Sequence, residues 1–395
     1  MSQRVAFLCE DPGIPPDGSK GASVHFRSLA RAFASIGVPL DVFMARKGDV
    51  HAYEPHRVQV IPTPRRSKLT GEVSQIAHSM QMGQAMAELG PHAAVYERLS
   101  LFGLAGLMHA RELDVPMLVE VNAPLWREAA MFRSLELQRT AKGVCLDVCA
   151  GAHRVLPVSS ALADELVACG IDRHRIEVVG NGTDLAAFQN AKPARRPARF
   201  IGRPTLMFVG SLKPWHGIGF LLDAFKQLRQ KRDCALWIIG DGPERDLVTA
   251  AQREMREDLA HTPVVAHEDV PAMLQAADIV VAPYTSAAPT YFSPLKVVEV
   301  LAAGRPLLAS RTPCVLGTLA GHRPPGLFEP DDVADFVASA ERLLDAGDGA
   351  ATEGIDAGLV AKLDWRHKAR DLAALMGVST GTTAMPEADC GGARG

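Results

Sequence analysis

The sequence predicts an α/β protein made of two doubly wound parallel sheets. Short apolar runs alternate with amphipathic helical patterns along most of the chain. That alternation is typical of a parallel sheet covered by helices on both faces. The alternation stops near residue 188 and begins again near residue 205. A length of 395 residues likewise favours two domains over one.

The apolar runs give the predicted strands. In the first half of the chain these are residues 5–8, 39–44, 58–61, 93–96, 116–121 and 154–158. In the second half they are residues 205–209, 235–239, 264–265, 279–282 and 306–309. The clearest helical patterns between them are residues 22–36, 69–89 and 217–228.

The predicted domains follow from this pattern. Residues 1–188 form the first domain and residues 204–361 the second. Residues 189–203 between them are rich in Pro, Ala and Arg, as interdomain linkers are. A helix near residues 362–376 is expected to pack back on the first domain, and residues 377–395 are expected to be disordered. Because ligands of such sheets bind at the carboxyl ends of the strands, we expect a site in a crevice between the two domains.

Composition excludes several classes of protein. The net charge of -3 and the lack of a basic stripe argue against nucleic-acid binding. Seven scattered cysteines, an odd number, indicate reduced thiols. No signal peptide is recognisable, and no apolar run approaches the roughly 20 residues that span a bilayer. We therefore expect a cytoplasmic protein.

Two basic clusters leave open a peripheral contact with the inner face of the membrane. Arg65-Arg66-Ser67-Lys68 is one of them, and the arginines and the lysine of the linker form the other. Anionic lipid attracts such clusters. The alternative is a charged loop and a solvated linker.

The most informative motif begins at Tyr291 and continues to Pro306. Lys296 and Glu299 are three residues apart, so they share one face of a predicted helix. A cation at a helix N-terminus, with a carboxylate one turn later, suits a nucleotide-sugar. The phosphates would take the helix N–H groups and the lysine, and the carboxylate would accept hydrogen bonds from sugar hydroxyls. The alternative is a surface Lys/Glu pair on an ordinary helix.

Further motifs occur in a fixed order around this one. They are the loop 17–22, the segment 178–184 with Phe188, the segment 208–217, the turn 239–244 and the pair Ala277-Asp278. With these motifs in this order, residues 4–375 resemble the family-4 glycosyltransferases, which are retaining enzymes of the GT-B fold. The resemblance implies two Rossmann-like domains, with the acceptor bound mainly by the first and the nucleotide-sugar mainly by the second.

The resemblance also implies the site residues. Lys213 and Lys296 are the expected catalytic cations, which stabilise negative charge on the departing phosphate. In this family the leaving diphosphate is thought to deprotonate the incoming hydroxyl. The expected donor-binding residues are Gly21, Ser211, His216, Gly240, Asp241, His267, Tyr291, Ser293, Pro294, Leu295 and Glu299.

Three departures from the family pattern stand out. Ser211 and His216 occupy positions where relatives usually carry an Arg and a Lys, so a hydroxyl and a titratable imidazole replace two fixed cations. Tyr291 replaces the first of two glutamates, whereas Glu299 preserves the second, which binds ribose in relatives. Asn122 stands where relatives often have a histidine.

Glu120 lies one alternation before Asn122 on a predicted strand. We include both among the expected catalytic residues, with Glu120 as a candidate acidic group at the acceptor side. The alternative is a structural carboxylate held by backbone donors.

The expected partners are a nucleotide-sugar and a glycan, lipid-linked or small-molecule acceptor. No Asp-x-Asp tripeptide occurs in the chain, so we expect neither a metal nor a cofactor. Two other functions stay open. One is a nucleotide-sugar epimerase of the same fold, and the other is a catalytically weakened binding module, which Ser211, His216 and Tyr291 would support.

Overall fold

A computed structural model of the chain describes residues 4–18, 21–63, 71–133, 135–347 and 353–381. These residues form two parallel sheets of six strands each, with helices between successive strands. The predicted fold class, with two doubly wound sheets, is therefore confirmed.

The first sheet is formed by the first six strands of the chain. Its strands are β1 (Val5–Cys9), β2 (Leu40–Met44), β3 (Arg57–Val60), β4 (Ala94–Arg98), β5 (Met117–Val121) and β6 (Arg154–Pro157). The helices of this part are α1 (Gly21–Ser35), α2 (Gly71–Leu89), α3 (Ala105–Leu113), α4 (Leu125–Phe132), α5 (Gln138–Gly151), α6 (Ser160–Ala168) and α7 (Leu185–Gln189). The strand order is β3-β2-β1-β4-β5-β6.

The second sheet repeats the design. Its strands are β7 (Thr205–Val209), β8 (Ala235–Ile239), β9 (Leu259–Thr262), β10 (Ile279–Ala282), β11 (Leu307–Ser310) and β12 (Leu327–Phe328). The helices are α8 (Ile218–Lys231), α9 (Arg245–Glu254), α10 (Val270–Gln275), α11 (Leu295–Ala302), α12 (Pro313–Thr318), α13 (Val333–Ala346), α14 (Ala357–Lys362) and α15 (Trp365–Leu375). The strand order is β12-β11-β10-β7-β8-β9.

Burial explains why the strands read as continuous apolar runs. All five residues of β1 are fully buried, and β1 pairs with β2 on one side and with β4 on the other. In the second sheet, alternate residues enter separate cores. Met207 and Trp237 belong to one apolar cluster, and Phe208 and Ile238 belong to the other. Both faces of these central strands therefore lose contact with water, as in other parallel sheets.

Two strands of the second sheet differ from the sequence prediction. The strand predicted at Val264-Val265 is wrong, because the chain pairs with β8 through Leu259–Thr262 instead. Pro263 follows this strand and lacks the N–H that would continue the ladder, and the Val264 side chain is exposed. The sequence prediction also lacks β12, which pairs with β11. This strand has only two residues, which is too short to be recognised as an apolar run.

Contacts divide the chain into two compact units. One unit holds the residues up to Glu120, Leu125–Val155 and the part from Trp365 onward. The other holds Val121–Pro124 and Leu156–Asp364. Within the first unit α15 packs against α1, where the Trp365 ring meets the edge of the His25 ring at 4.7 Å. The domain boundary near Phe188 stays a prediction.

The predicted linker is packed rather than free within the second unit. Arg196 makes a bidentate ion pair with Asp278, and Arg203 binds Asp258 at 2.6 Å. Arg199 lies over the ring of Phe200, which is fully buried. Three of the linker's cationic side chains are therefore committed to this unit.

Two predicted features lie wholly or largely outside the described residues. The basic cluster Arg65-Arg66-Ser67-Lys68 is one, and most of the predicted disordered tail is the other. The first residues of that tail are described, and the Gly381 N–H donates to the Ile36 carbonyl at 2.9 Å. In the parts of the chain that the structure covers, no helix has the length and apolarity needed to cross a membrane.

Two carboxyl groups are buried side by side in the first unit. Glu10 follows β1 and is 5% exposed, and Glu97 lies in β4 with no exposure. One Glu10 oxygen accepts from the Ala105 N–H and the Ser79 hydroxyl, both at 3.2 Å. The other Glu10 oxygen and both Glu97 oxygens have no hydrogen-bond partner among the described residues. Burial raises the pKa of Glu10 to about 7, and burial and the nearby Glu10 raise the pKa of Glu97 well above its ordinary value.

We predict that Glu10→Gln removes part of the pH dependence of stability. The folded protein holds the Glu10 proton up to about pH 7, whereas the unfolded chain releases it near its ordinary pKa of 4.5. Stability is therefore lost as pH rises between these values, by about 1.4 kcal/mol per pH unit. The glutamine keeps the acceptor for Ala105. The free energy of unfolding, measured from pH 5 to pH 8, should fall less steeply in the variant than in the parent protein.

The control for this experiment is Glu88→Gln, which changes an exposed carboxylate on α2. Its stability profile should run parallel to that of the parent. A Glu10→Gln profile that also runs parallel to the parent would show that Glu10 is ionised in the folded protein at every pH tested.

Candidate functional site

Most of the predicted site residues follow the carboxyl ends of strands β7, β8 and β10. Strand β7 ends at Val209, and the chain then passes Gly210 and an exposed Ser211 before the short 3-10 turn Pro214–His216. Gly217 adopts the left-handed conformation with φ of 71°, and a side chain there would collide with the Pro283 carbonyl. Only glycine therefore fits this turn between β7 and α8.

Lys296 lies in the first turn of α11 and is 8% exposed. Its Nζ atom lies 3.2 Å from the centre of the Phe208 ring and 5.8 Å from the centre of the Tyr284 ring. Across the described residues Nζ has no hydrogen-bond partner. Burial lowers the pKa of Lys296 well below its ordinary value, and the Glu299 carboxylate only partly opposes that shift. Lys296 therefore carries a buried nitrogen donor for which the described part of the chain provides no acceptor.

His216 lies beside this lysine and has a fixed hydrogen bond. Its Nδ1 atom donates to the Ser211 carbonyl at 2.5 Å. Burial, followed by the neighbouring Lys296 and Lys213, lowers the pKa of His216 to about 3. The ring is neutral at physiological pH. The structure therefore has an uncharged imidazole at this position, and the place of His216 among the donor-binding residues stays a prediction.

Lys213 is exposed, in contrast to Lys296. Its Nζ atom lies 4.8 Å from the centre of the Trp215 ring. A cation over an aromatic face is held loosely, by about 0.5–1 kcal/mol at exposed sites. Lys213 is therefore free to turn toward a ligand.

Glu299 stands one turn after Lys296 and is 8% exposed. The Nε2 atom of His267, which follows β9, donates to its Oε1 atom at 3.0 Å. The second carboxylate oxygen thus remains for another donor, while the first is oriented by the imidazole. Sequence reasoning names both residues, but the hydrogen bond between them is visible only in the structure.

The turn after β8 is joined to the turn after β7. A side chain at Gly240, which has φ of 138°, would collide with the Gly210 carbonyl. The Asp241 carbonyl accepts from the Leu212 N–H at 2.9 Å. The Asp241 carboxylate accepts from the Gly242 N–H at 2.8 Å and from Arg245 at 3.0 Å. The role of Asp241 seen here is to shape this turn.

The segment before α11 is anchored by two hydroxyl groups. The Ser159 hydroxyl donates to the Tyr291 carbonyl at 2.6 Å. The Ser293 hydroxyl accepts from the Asn181 N–H at 3.0 Å, and the Asn181 side chain donates to the Ser293 carbonyl at 2.7 Å. Pro294 is buried and Leu295 begins the helix. This network fixes where α11 starts and so where Lys296 lies.

Of the remaining predicted residues, Glu120 and Gly21 belong to the first unit and Asn122 belongs to the second. Glu120 is 2% exposed and accepts from His25 at 2.7 Å, Tyr96 at 2.5 Å and Arg98 at 2.6 Å. These three donors are side chains, whereas the structural alternative named backbone donors. Sequence reasoning missed all three donors, although Tyr96 and Arg98 share a strand face by simple alternation.

Asn122 and Gly21 complete the predicted set. Asn122 lies just beyond the end of β5 and is half-buried. Gly21 is the first residue of α1 and is exposed, and in the described ranges no atom beyond its chain neighbours lies within 4 Å of the place where a side chain would begin. The structure therefore shows no local steric need for glycine at this position.

Phe208 is the residue of the second unit that sequence reasoning did not assign to the site. It is fully buried and forms the apolar surface under the Lys296 nitrogen. An aromatic residue two positions before the glycine that ends a strand is a weak signal by itself. In the described ranges, no three His, Cys, Asp or Glu side chains gather as a metal site requires. Turnover without a metal stays a prediction.

Comparison with known proteins identifies the family. The family model described as Glycosyl transferases group 1 matches residues 203–346, and the model described as Glycosyltransferase Family 4 matches residues 19–187. Together they span most of the chain, including the site after β7, β8 and β10.

Named relatives and a solved structure agree with these models. The D-inositol 3-phosphate glycosyltransferase of Pseudarthrobacter chlorophenolicus is 27% identical over 374 residues, which cover 87% of this chain and 88% of the relative. The alpha-D-kanosaminyltransferase of Streptomyces kanamyceticus is 25% identical over 350 residues, or 78% and 83% of the two chains. The Anabaena protein Alr3699/HepE, solved with UDP, is similar in fold with a TM-score of 0.71 and 15% identity, covering 95% of this chain and 100% of the other. This chain belongs to glycosyltransferase family 4.

Proposed function

We propose that this chain is a retaining glycosyltransferase that moves a sugar from a nucleotide-sugar to a hydroxyl of a glycan, lipid-linked or small-molecule acceptor. The observation that carries the proposal is the buried nitrogen of Lys296, which has no acceptor in the described part of the chain. This nitrogen lies beside Gly210, the residue that follows β7. A diphosphate would supply that acceptor. The named relatives transfer sugars, and the Anabaena structure of the same fold contains UDP.

The roles of the side chains follow from their surroundings. Lys296 stabilises the negative charge that develops on the departing diphosphate, which is the kind of effect that fixed donors in a dry site provide. The exposed Lys213 adds a second, mobile cation. Glu299, oriented by His267, accepts hydrogen bonds from the ribose hydroxyls.

The remaining predicted residues keep their expected roles within this proposal. The N–H groups at Ser211 and at the start of α11, near Pro294 and Leu295, bind phosphate oxygens. Tyr291 contacts the donor sugar in place of the usual glutamate. Glu120 and Asn122 belong to the acceptor side, and there the side chains that surround Glu120 favour a positioning role over proton transfer.

The proposal includes a peripheral contact with the inner face of the membrane through one basic cluster. Three arginines of the linker are engaged within the second unit. The attraction to anionic lipid then falls mainly to the cluster Arg65-Arg66-Ser67-Lys68.

Transfer can be tested directly with the purified protein. A panel of nucleotide-sugars is first screened by thermal shift, because a bound donor raises apparent stability. Release of nucleotide from the selected donor is then measured with acceptor sugars and with a chelator present. We expect transfer that persists in the chelator. Release of a changed epimer without acceptor would point to the epimerase, and binding without any turnover would point to the binding module.

We predict that Glu299→Ala weakens binding of the nucleotide-sugar by about 10- to 100-fold, the effect of losing hydrogen bonds to a charged group. Calorimetric titration gives the affinity, and thermal unfolding shows whether the fold is kept. Glu254→Ala, which changes a carboxylate that pairs with Lys226 on the same unit, should bind normally. An unchanged affinity in Glu299→Ala would remove Glu299 from the donor site.

We predict that Lys296→Met lowers kcat by about 100- to 1,000-fold, the range found when one fixed donor to a developing charge is removed. The thermal stability should stay level or rise, because methionine packs well on an aromatic ring and removes a buried nitrogen that has no acceptor among the described residues. Steady-state kinetics and thermal unfolding on the same sample separate the two effects. A near-normal kcat would transfer the role to Lys213 or to backbone N–H groups.

A further inference from the structure

The surroundings of the Lys296 nitrogen set its charge before any ligand arrives. On one side Nζ faces the Phe208 ring at 3.2 Å, and a Cβ atom at Gly210 would lie 3.6 Å from it. In the described part of the chain, no oxygen or nitrogen atom accepts a hydrogen bond from it. An ammonium in this position would leave all three of its N–H groups without an acceptor.

Few charged groups face this nitrogen. Among the described residues, Glu299 on the same helix is the one carboxylate that acts on Lys296, and His267 already binds one of its oxygens. The other titratable groups are Lys213 and His216 from the turn after β7 and Tyr284 from the end of β10, with Cys314 of α12 beside Tyr284. The imidazole is neutral and Lys213 repels a second cation, so neither of them favours an ammonium here.

The relative energies of the ammonium and amine forms of Lys296 can be compared. A cation over an aromatic ring gains about 0.5–2 kcal/mol. Taking an unpaired ion out of water costs several kcal/mol even after the protein relaxes. The partial attraction of Glu299 does not close this gap, which agrees with the strong downward shift of the Lys296 pKa. The amine is therefore favoured when the site is empty.

A diphosphate reverses this balance, because its oxygens give the N–H groups acceptors and its negative charge favours the ammonium. We propose that a nucleoside diphosphate binds to this site together with one proton, which the Lys296 amine takes from solvent as it becomes an ammonium. No bond to the ligand forms, and the proton comes from water or buffer. This inference rests on the proposed function, since it assumes that the site takes a diphosphate.

The coupling has a direct consequence for affinity. Above the pKa of the empty site, and below that of the occupied site, each bound diphosphate removes one proton from solution. Affinity then falls by up to tenfold for each unit of rising pH in that interval. A lysine that stays charged throughout gives an affinity that does not change in the same interval.

Titration calorimetry tests the proposal on the full chain. The probe is whichever of UDP, GDP and ADP raises the melting temperature most. At pH 8 the terminal phosphate has already lost its last proton, since such groups titrate near pH 6. Heats are measured in HEPES and in Tris, whose ionisation enthalpies differ, so their difference gives the number of protons exchanged. We expect uptake on the order of one proton for each diphosphate bound.

Two matched variants assign the proton to one residue. Lys296→Arg replaces the amine by a guanidinium that keeps its charge, so proton uptake should vanish. Lys226→Arg changes an exposed lysine that pairs with Glu254, and it should keep the uptake of the parent. If Lys296→Arg does not bind the diphosphate, the affinity of the parent and of His267→Gln is measured as a function of pH. If Lys296 takes the proton, the affinity of both proteins falls as pH rises.

The outcomes are distinguishable from failure of the proposed function. Binding with equal heats in the two buffers overturns this inference alone and leaves the transferase proposal intact. Uptake that persists in Lys296→Arg also overturns it, because another group then takes the proton. Failure of all three diphosphates to bind overturns the donor site and this inference together.

Discussion

The contact between the Lys296 nitrogen and the Phe208 ring is the interaction on which the candidate site depends. A lysine at this depth would ordinarily be expected to pair with a carboxylate. Here it has an aromatic surface beneath it and the bare backbone of Gly210 beside it. That arrangement holds the nitrogen in place and leaves its hydrogen-bonding capacity unused. A site of this kind is specific for an incoming anion, because only the ligand completes it.

The strands and turns of the second unit keep this contact in position. Alternation along β7 brings Phe208 to one face of the sheet, and the chain then turns at Gly210 and Gly217. Asp241 and Gly240 join the next turn to it. The anchoring of the Tyr291–Ser293 segment by Ser159 and Asn181 fixes the start of α11. All of these contacts are made within the second unit.

Much of the fold could be predicted from the sequence, because fully buried parallel strands leave continuous apolar runs. Residues 205–209 and 235–239 are strands with the predicted bounds. Strand β9 was misplaced, since Leu259–Thr262 has little β-branched character and the valines after Pro263 have more. The order and spacing of the motifs also identified the family.

The chemistry of the site was less accessible from the sequence. Spacing places Lys296 and Glu299 on one helix face. It does not show that the Lys296 nitrogen lacks a hydrogen-bond partner among the described residues, or that His267 donates to Glu299. The protonation state of His216 could not be predicted from the sequence either, because burial and the neighbouring lysines lower its pKa. Glu120 likewise depends on His25, Tyr96 and Arg98, which come from two separate segments of the chain.

An experimental structure of the chain with a bound nucleoside diphosphate tests the central claim most directly. The quantity to measure is the distance from the Lys296 nitrogen to the nearest phosphate oxygen. If Lys296 binds the diphosphate, we expect a charge-assisted hydrogen bond of about 2.7–2.9 Å between the two atoms. A diphosphate bound elsewhere, with the nitrogen still over the Phe208 ring and no phosphate oxygen within about 4 Å, beyond the reach of a hydrogen bond, would contradict that role.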